Sequence, residues 1–245
     1  MDRTDCAYLI NTTPKYFYLL PLHIALLERY ATLAWPIYIA TEAPELLPCL
    51  PPDIKILRLP MEAEGFLESR AEATRLLPPE IKYVFPIQED FLLEGRPMAQ
   101  EIAAAFEALE EVDSVRLMPC PGPKGSVFYN EFKVLEFEAE MVFTYQATLW
   151  KRDPYQRFMN TLLHRLKGKS QAEKNRLAIK VNIAENSEGQ AILKQLGGMH
   201  LSVIRQYPHP NAVYLCPWPY RPTAVVRGVL EKWAIELAER EGFQL

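Results

Sequence analysis

The chain has 245 residues, of which 49% are hydrophobic and 24% charged, the balance of a folded soluble protein rather than a disordered or fibrous one. A chain of this length suits one large α/β domain or two small ones. It can bury enough surface for a stable core, so it needs no disulfide or structural metal to stabilise the fold. Its formal net charge is −4 at pH 7, whereas proteins that bind nucleic acid non-specifically are usually basic, so no nucleic-acid partner is expected.

Cysteine usage and hydropathy predict a cytoplasmic protein. The four cysteines include no CxxC pair, so buried free thiols are expected in place of a zinc site or a redox pair. The first eight residues carry charges before any apolar run, which is not the order of a signal peptide. No apolar stretch approaches the roughly 20 residues that a bilayer-spanning helix needs, so we expect no transmembrane segment.

The N-terminal half alternates between apolar strand patterns and helical patterns. Strands are predicted over residues 7–10, 36–40, 54–59 and 81–87, and helices over residues 16–33 and 66–77. Strands that alternate with helices favour a mostly parallel sheet covered by helices on both faces. The sequence therefore predicts a three-layer α/β sandwich.

The second half has a different composition. A helix over residues 97–111 and a strand over residues 115–118 close the first half, and residues 126–150 are then rich in aromatic residues and in strand patterns. The remaining predicted elements are helices near residues 155–166 and 184–196, a proline-rich segment from 207 to 222, and a terminal helix from about 224 to 241. Because no flexible linker separates residues 1–120 from 121–245, we predict one domain spanning residues 1–245.

The turn after the first strand is polar and has no glycine. It contains Asn11, Thr12 and Thr13, and neither a GxGxxG fingerprint nor a P-loop occurs in the chain, which weakens dehydrogenase, kinase and methyltransferase interpretations. Open parallel sheets bind ligands at the carboxyl ends of their strands, which is where these three residues fall. The alternative is an ordinary polar turn that caps the next helix.

The most informative segment is an acidic pair directly after a predicted central strand. Gln88, Glu89 and Asp90 follow the apolar run over residues 81–87. Ionised carboxylates at such a place need a metal, a basic side chain or backbone donors, and Mg²⁺ or Mn²⁺ would complete its shell with water and phosphate oxygens. The alternative is a solvent-exposed strand end without a binding role, because acidic side chains are mostly exposed.

Four short segments together resemble a group of bacterial and viral sugar transferases with the glycosyltransferase type A fold. They are QEDFLL at 88–93, YQATLWKRD at 145–153, NIAENSEG at 182–189 and VVRG at 225–228. In that group a QEDYFL-like strand end stands where relatives have the Asp-x-Asp metal motif. The resemblance implies a nucleotide-binding half at residues 1–120 and an acceptor-binding half at residues 121–245.

The resemblance also assigns roles to single residues. It makes Asp90 the ligand of Mn²⁺ or Mg²⁺, with Glu89 contributing, whereas Gln88 stands in place of a carboxylate and weakens the case for strong metal dependence. The expected donor-binding residues are Asn11, Thr12, Thr13, Gln88 and Glu89. Gln146 and Trp150 would face the acceptor sugar, although a buried core position for the tryptophan fits equally well.

The predicted helix near residue 184 begins with two acidic residues. Glu185 falls in its first turn and Glu188 lies three residues later on nearly the same face. Either carboxylate could be a general base that removes a proton from an acceptor hydroxyl. Acidic residues at this position are also favourable for the helix dipole alone, which leaves a purely structural role open.

Together with these residues, the resemblance implies a metal-assisted glycosyltransferase of the hexosyl or deoxyhexosyl class. It would move a sugar from a nucleotide-sugar donor to a saccharide or lipid-linked saccharide acceptor, with inversion, in surface glycan or polysaccharide assembly. A retaining outcome stays open. The alternatives are a sugar nucleotidyltransferase, which would normally carry a glycine-rich basic loop after the first strand, and a non-catalytic sugar-binding or partner-binding module on the same fold.

Overall fold

The computed structural model of the protein describes residues 3–32, 34–60, 65–119, 127–138, 142–170, 172–173, 187–204, 207–208, 214–221 and 223–244. The strands are β1 (Cys6–Asn11), β2 (Ile37–Thr41), β3 (Lys55–Arg58), β4 (Tyr83–Gln88), β5 (Leu92–Leu93), β6 (Ser114–Arg116), β7 (Phe128–Tyr129), β8 (Phe132–Val134), β9 (Thr148–Lys151), β10 (His200–Ser202), β11 (Tyr207–Pro208), β12 (Tyr214–Leu215), β13 (Tyr220–Arg221), β14 (Val225–Val226) and β15 (Val229–Leu230). The α-helices are α1 (Leu20–Leu26), α2 (Phe66–Leu76), α3 (Ala99–Ala108), α4 (Arg152–Arg165), α5 (Ser187–Leu196) and α6 (Lys232–Glu241).

A large sheet organises the described part of the chain. Its strand order is β3-β2-β1-β4-β9-β6-β10-β8-β7. Within it β9 and β8 run against the direction that the other strands share. The predicted fold class, an α/β sandwich around a mostly parallel sheet, is therefore confirmed. Strand β9 comes from the second half of the chain and lies between β4 and β6 of the first half, so the two halves share one sheet.

Helices cover both faces of this sheet, which gives the three predicted layers. Alternate residues of β1 point to opposite faces, with Tyr8 in one core and Leu9 in the other. The Tyr8 core contains the buried faces of α1, α3 and α6, and the Leu9 core contains those of α2, α4 and α5. Since both faces of β1 and β4 are covered, their ends are the places where polar side chains reach the surface.

Two helix predictions need correction. The predicted helix over residues 16–33 is divided into a 3-10 helix at Pro14–Leu19, the helix α1 and a π-helical turn at Leu27–Ala31. The predicted helix from residue 224 is wrong at its start, because β14 and β15 form a hairpin there and α6 begins only at Lys232. Four valine and leucine residues flank a two-residue turn with positive φ, a pattern that favours a hairpin over a helix.

The thiols agree in part with the expectation that they are free and buried. Cys6 and Cys216 are buried free thiols, whereas Cys49 is free but exposed, so the expectation of burial was wrong for Cys49. Cys120 lies outside the described residues. Among the helices that the structure describes, none has the length and apolar character needed to cross a bilayer.

Candidate active site

The site is built where β1 and β4 end side by side. The two strands are parallel neighbours, and their register pairs Asn11 with Gln88, the last residue of each strand. The polar turn after β1 and the acidic pair after β4 therefore leave the sheet at the same edge. The sequence predicted this neighbourhood from the two strand patterns, because the carboxyl ends of parallel strands meet at one edge.

A cleft of about 200 Å³ lies over this edge. The five predicted donor-binding residues all line it: Asn11, Thr12, Thr13, Gln88 and Glu89. Five residues that the sequence analysis did not single out complete its wall: Tyr16, Glu42, Phe66, Ser69 and Arg70. The cleft thus combines aromatic rings, amide and hydroxyl groups, carboxylates and one cation, a set suited to a polar ligand with a flat ring.

The acidic turn after β4 holds two carboxyl groups in a poorly solvated place. Glu89 is only 6% exposed, and burial, followed by the negative charge of Asp90, raises its pKa to about 8. Burial also raises the pKa of Asp90 to about 6, although the backbone N–H of Val225 lowers it in part. Near neutral pH Asp90 is therefore mainly ionised and Glu89 mainly protonated, since two close charges disfavour each other.

Arg70 is the buried cation that faces this pair. It lies on the inward face of α2 and is 6% exposed. Its guanidinium donates to the backbone oxygen of Phe66 over 2.9 Å and lies 3.6 Å from the centre of the Phe66 ring. Burial lowers the pKa of Arg70, while the charges of Glu89 and Asp90 act in the opposite direction. The sequence analysis missed Arg70, although an arginine at a position of an amphipathic helix that faces the core is unusual and indicates a functional or paired side chain.

A buried histidine fixes the backbone of the acidic turn. His23 of α1 lies between the Tyr8 hydroxyl, 2.9 Å from its Nε2, and the backbone oxygen of Glu89, 3.1 Å from its Nδ1. Burial lowers the pKa of His23 to about 4, so the ring is neutral at physiological pH. The Glu89 oxygen can only accept, so Nδ1 carries the proton and Nε2 accepts from Tyr8. This chain connects β1, α1 and the turn.

The β14–β15 hairpin holds the other side of the turn. The backbone N–H of Ala224 donates to the Asp90 backbone oxygen over 2.9 Å, and the N–H of Val225 donates to the Asp90 carboxylate. The hairpin is closed at its base by a 2.8 Å bond from the Glu231 N–H to the Ala224 oxygen. Asp90 is therefore fixed by backbone donors through both its main chain and its side chain.

The acidic pair fits a weakly caged divalent cation. Among the described residues no group of three or more His, Cys, Asp or Glu side chains is arranged to hold a metal. Mg²⁺, however, is commonly held by one or two carboxylates, with water and phosphate oxygens supplying the other ligands. Asp90 and Glu89 match that mode, since they supply two carboxylates from adjacent positions of one turn.

Gln146 and Trp150 both line one narrow crevice together with Gln88. The crevice has a volume of about 10 Å³, room for about one water molecule. The Gln146 side-chain oxygen accepts from the hydroxyl of Tyr220. Trp150 is 3% exposed and lies among the rings of Phe143, Tyr155, Phe158 and His200. The acceptor role of both residues stays a prediction, and the burial of Trp150 agrees with a core position as well.

The two candidate bases are only partly described. Glu185 lies outside the described residues, so its role stays a prediction. Glu188 is in the first turn of α5, where its carboxylate forms a 3.0 Å ion pair with Arg165 of α4. Its side chain is 45% exposed, and it does not belong to the cleft wall described above.

Comparisons with known proteins give a distant structural similarity. No family model matches the sequence, and no curated protein matches it. The crystal structure of residues 1–349 of S. aureus TarS, a glycosyltransferase, is similar at 10% identity and a TM-score of 0.44, covering 83% of this chain and 58% of that one. A second S. aureus TarS structure gives 11% identity and a TM-score of 0.39, covering 62% and 28%. The chain therefore spans little more than half of the first structure, and the function proposed below depends on the site itself.

Proposed function

We propose that the protein is a glycosyltransferase that binds a nucleotide-sugar donor over the carboxyl ends of β1 and β4. One observation carries the proposal: the carboxylate pair Glu89 and Asp90 follows the central strand β4, and Glu89 lines a cleft that the polar turn of β1 also lines. Ligands of open α/β sheets bind at this edge. A buried acidic pair is a costly arrangement for a fold, and its presence at this edge favours a functional reason for it.

The cleft offers a place for each part of a nucleoside. The rings of Tyr16 and Phe66 can stack on a base, and the carboxylate of Glu42 can accept hydrogen bonds from ribose hydroxyls. Asn11 is already oriented, because its side-chain N–H donates to the Ser69 backbone oxygen over 3.1 Å. Its amide oxygen remains a candidate acceptor for the ligand. This assignment places the diphosphate toward Glu89 and Asp90.

The acidic pair would carry the divalent cation of such a donor site. Asp90 and Glu89 are the residues that would hold Mn²⁺ or Mg²⁺, which when bound neutralises charge that develops on a leaving diphosphate. Glu89 is mainly protonated at neutral pH in the free protein, so it would release a proton on becoming a ligand. Arg70 remains beside both carboxylates and limits their mutual repulsion.

The acceptor would be a saccharide, free or linked to a lipid, attacking from the side opposite the diphosphate. In this proposal Glu185 removes the proton from the acceptor hydroxyl while the hydroxyl oxygen bonds to the anomeric carbon and the bond to the diphosphate breaks, and attack from the opposite side gives inversion. Glu188 is a weaker candidate because its carboxylate is paired with Arg165. Gln146 is proposed at the edge of the acceptor site, since it shares a crevice with Gln88.

Calorimetric titration of the full chain with UDP-, GDP-, dTDP- and CMP-sugars, with and without Mn²⁺, tests this function. We expect one nucleotide class to bind more tightly with Mn²⁺, and Asp90→Asn to remove that dependence while the protein stays folded. Asp53→Asn, at an exposed aspartate before β3, is the matched control and should behave as the unchanged protein.

Two results would contradict the proposal. Binding of none of the four classes would exclude a nucleotide-sugar donor site of this kind. Release of pyrophosphate from a nucleoside triphosphate and a sugar 1-phosphate, without transfer to any saccharide, would identify the nucleotidyltransferase alternative instead.

A further inference from the structure

The hairpin β14–β15 carries a turn whose residues are not explained by turn geometry. Arg227 and Gly228 have φ values of 53° and 80°, as in the two-residue turns that favour Asn-Gly, Asp-Gly or Gly-Gly. Glycine fits its position, but a non-glycine residue with positive φ is uncommon, and those that occur are mainly Asn and Asp. A backbone requirement alone would therefore not select arginine at residue 227.

The same turn meets the loop after β1. A Cβ atom added at Gly228 would stand 3.3 Å from the Lys15 Nζ, so the bare glycine lets the lysine approach the backbone of the turn. Both Lys15 and Arg227 are exposed. Lys15 from the loop after β1 and Arg227 from the hairpin turn therefore lie near each other at the place where the two segments meet.

These cations also lie at the edge of the acidic turn. The pKa of Tyr18 is raised by partial burial and by the charges of Tyr16, Asp90 and Glu89, and it is lowered by Lys15. The hydroxyl of Tyr18 therefore lies within electrostatic reach of the carboxylate pair and of Lys15. Arg227 belongs to a hairpin whose base is bonded directly to Asp90.

Neither cation is used to balance that acidic pair. Within the part of the chain that the structure describes, no ion pair joins Lys15 or Arg227 to a carboxylate. The Asp90 carboxylate accepts from the Val225 backbone instead, and Glu89 is buried. Two exposed cations beside an acidic turn, yet unpaired with it, are available to an anion that enters from outside.

We propose that Lys15 and Arg227 form a two-cation site for the diphosphate of the donor, with the β14–β15 hairpin as its outer wall. This inference rests on the proposed function for the identity of the ligand, while the cation pair itself follows from the geometry of the two turns. A diphosphate carries several negative charges and pairs of terminal oxygens, for which an arginine fork and a lysine point charge are complementary partners. The hairpin base on Asp90 connects this site to the acidic turn.

Inorganic pyrophosphate in the presence of Mg²⁺ is the probe, because it contains the diphosphate without a base or a sugar. Titration calorimetry would compare the full chain with Lys15→Met and Arg227→Asn. The second substitution produces Asn-Gly, the sequence that a turn of this type favours, so it removes the charge without disturbing the hairpin. We expect each variant to bind pyrophosphate about tenfold more weakly, with an unchanged or higher thermal midpoint for Arg227→Asn.

The controls remove equivalent charges elsewhere. Lys55→Met changes an exposed lysine at the amino end of β3, and Arg240→Met changes an exposed arginine in the last turn of α6. Both should bind pyrophosphate as the unchanged protein does. Arg227→Lys should recover part of the lost affinity, since it restores the charge but not the fork.

The outcomes separate this inference from the proposed function. Equal affinity in Lys15→Met, Arg227→Asn and the unchanged protein would overturn the cation pair, as would the absence of any pyrophosphate binding, even if a nucleotide sugar binds. Pyrophosphate binding that depends on both cations, with no nucleotide sugar bound by any of the four classes, would support the pair and overturn the proposed function.

Discussion

The substitution Glu89→Gln should make the free protein more stable while removing part of its function. Glutamine has nearly the shape of glutamate but no charge, so the change isolates the electrostatic effect of this site. Glu89 is buried and faces Asp90, Arg70 and the Thr12 hydroxyl. Burial and the charge of Asp90 are the two influences that raise its pKa, whereas Arg70 and Thr12 lower it.

The size of the effect follows from the two pKa values. The pKa of Glu89 is about 8 in the folded protein, against an ordinary value of 4.5. Between these pH values the folded protein keeps a proton that the unfolded chain has released, so stability falls as pH rises through this window. Each pH unit corresponds to about 1.4 kcal/mol, which gives a loss of about 3 kcal/mol at pH 7 and at most about 5 kcal/mol above pH 8.

Thermal unfolding between pH 5 and pH 8, with EDTA present, measures this difference. The midpoint of Glu89→Gln should exceed that of the unchanged protein by little at pH 5 and by about 6 to 12 °C at pH 7, as expected for a chain of this size. Glu80→Gln, at an exposed glutamate before β4, is the matched control and should give no difference that grows with pH.

Two results would refute this reasoning about Glu89. A gap between the two proteins that stays constant with pH would mean that the carboxyl group does not titrate in this window. A variant less stable than the unchanged protein at pH 8 would mean that an ionised Glu89 is well accommodated in the fold. If the stabilised variant also binds the donor more weakly with Mn²⁺, the buried carboxyl group of Glu89 lowers stability but is needed for ligand binding.

Four further substitutions test other parts of the site. In steady-state transfer assays, Glu185→Gln should lower kcat by roughly 10² to 10⁴-fold with little change in donor affinity. Glu188→Gln should lose only an exposed ion pair, so its kcat should stay near that of the unchanged protein. Arg70→Met should lower the free energy of unfolding in urea at pH 8 by about 3 kcal/mol or more, because it leaves buried carboxylates uncompensated; an effect below about 1 kcal/mol would contradict its role. His23→Gln should cost about 1 to 3 kcal/mol by the same assay and should weaken Mn²⁺-dependent donor binding, because the backbone of Glu89 loses its donor; unchanged Mn²⁺ dependence would leave His23 a purely structural role.

The sequence predicted the strand ends because their patterns are local. The apolar runs before Asn11 and Gln88 identify strands that are buried on both faces, and parallel pairing then brings their carboxyl ends to one edge. The acidic pair stood out since two carboxylates directly follow one of these runs. Both signals need only a few consecutive residues, so neither depends on contacts between distant parts of the chain.

The parts that the sequence did not predict depend on distant contacts or on a special backbone conformation. Arg70 and His23 are single polar residues in helical patterns, and their meaning appears only when α2 and α1 pack beside the turn after β4. Residues 224–230 precede a helix, and the helical pattern was extended too far toward the N-terminus. The valine and leucine residues around the turn favour strands, but arginine gives no sequence signal for the positive φ that the hairpin turn requires at residue 227.

The acidic turn is held mainly through its backbone, which explains how its side chains can serve a ligand. His23 donates to the Glu89 backbone oxygen and the Ala224 N–H donates to the Asp90 backbone oxygen, so these two bonds hold the turn without using either carboxyl group. A turn fixed in this way can carry two carboxylates that repel each other, because the surrounding structure prevents them from moving apart. Their repulsion is relieved only by protonation or by a cation. Below about pH 8 the binding of a cation should therefore release a proton from Glu89, and because protons compete for this carboxylate, the stabilisation by the cation should grow as pH rises toward 8 and above.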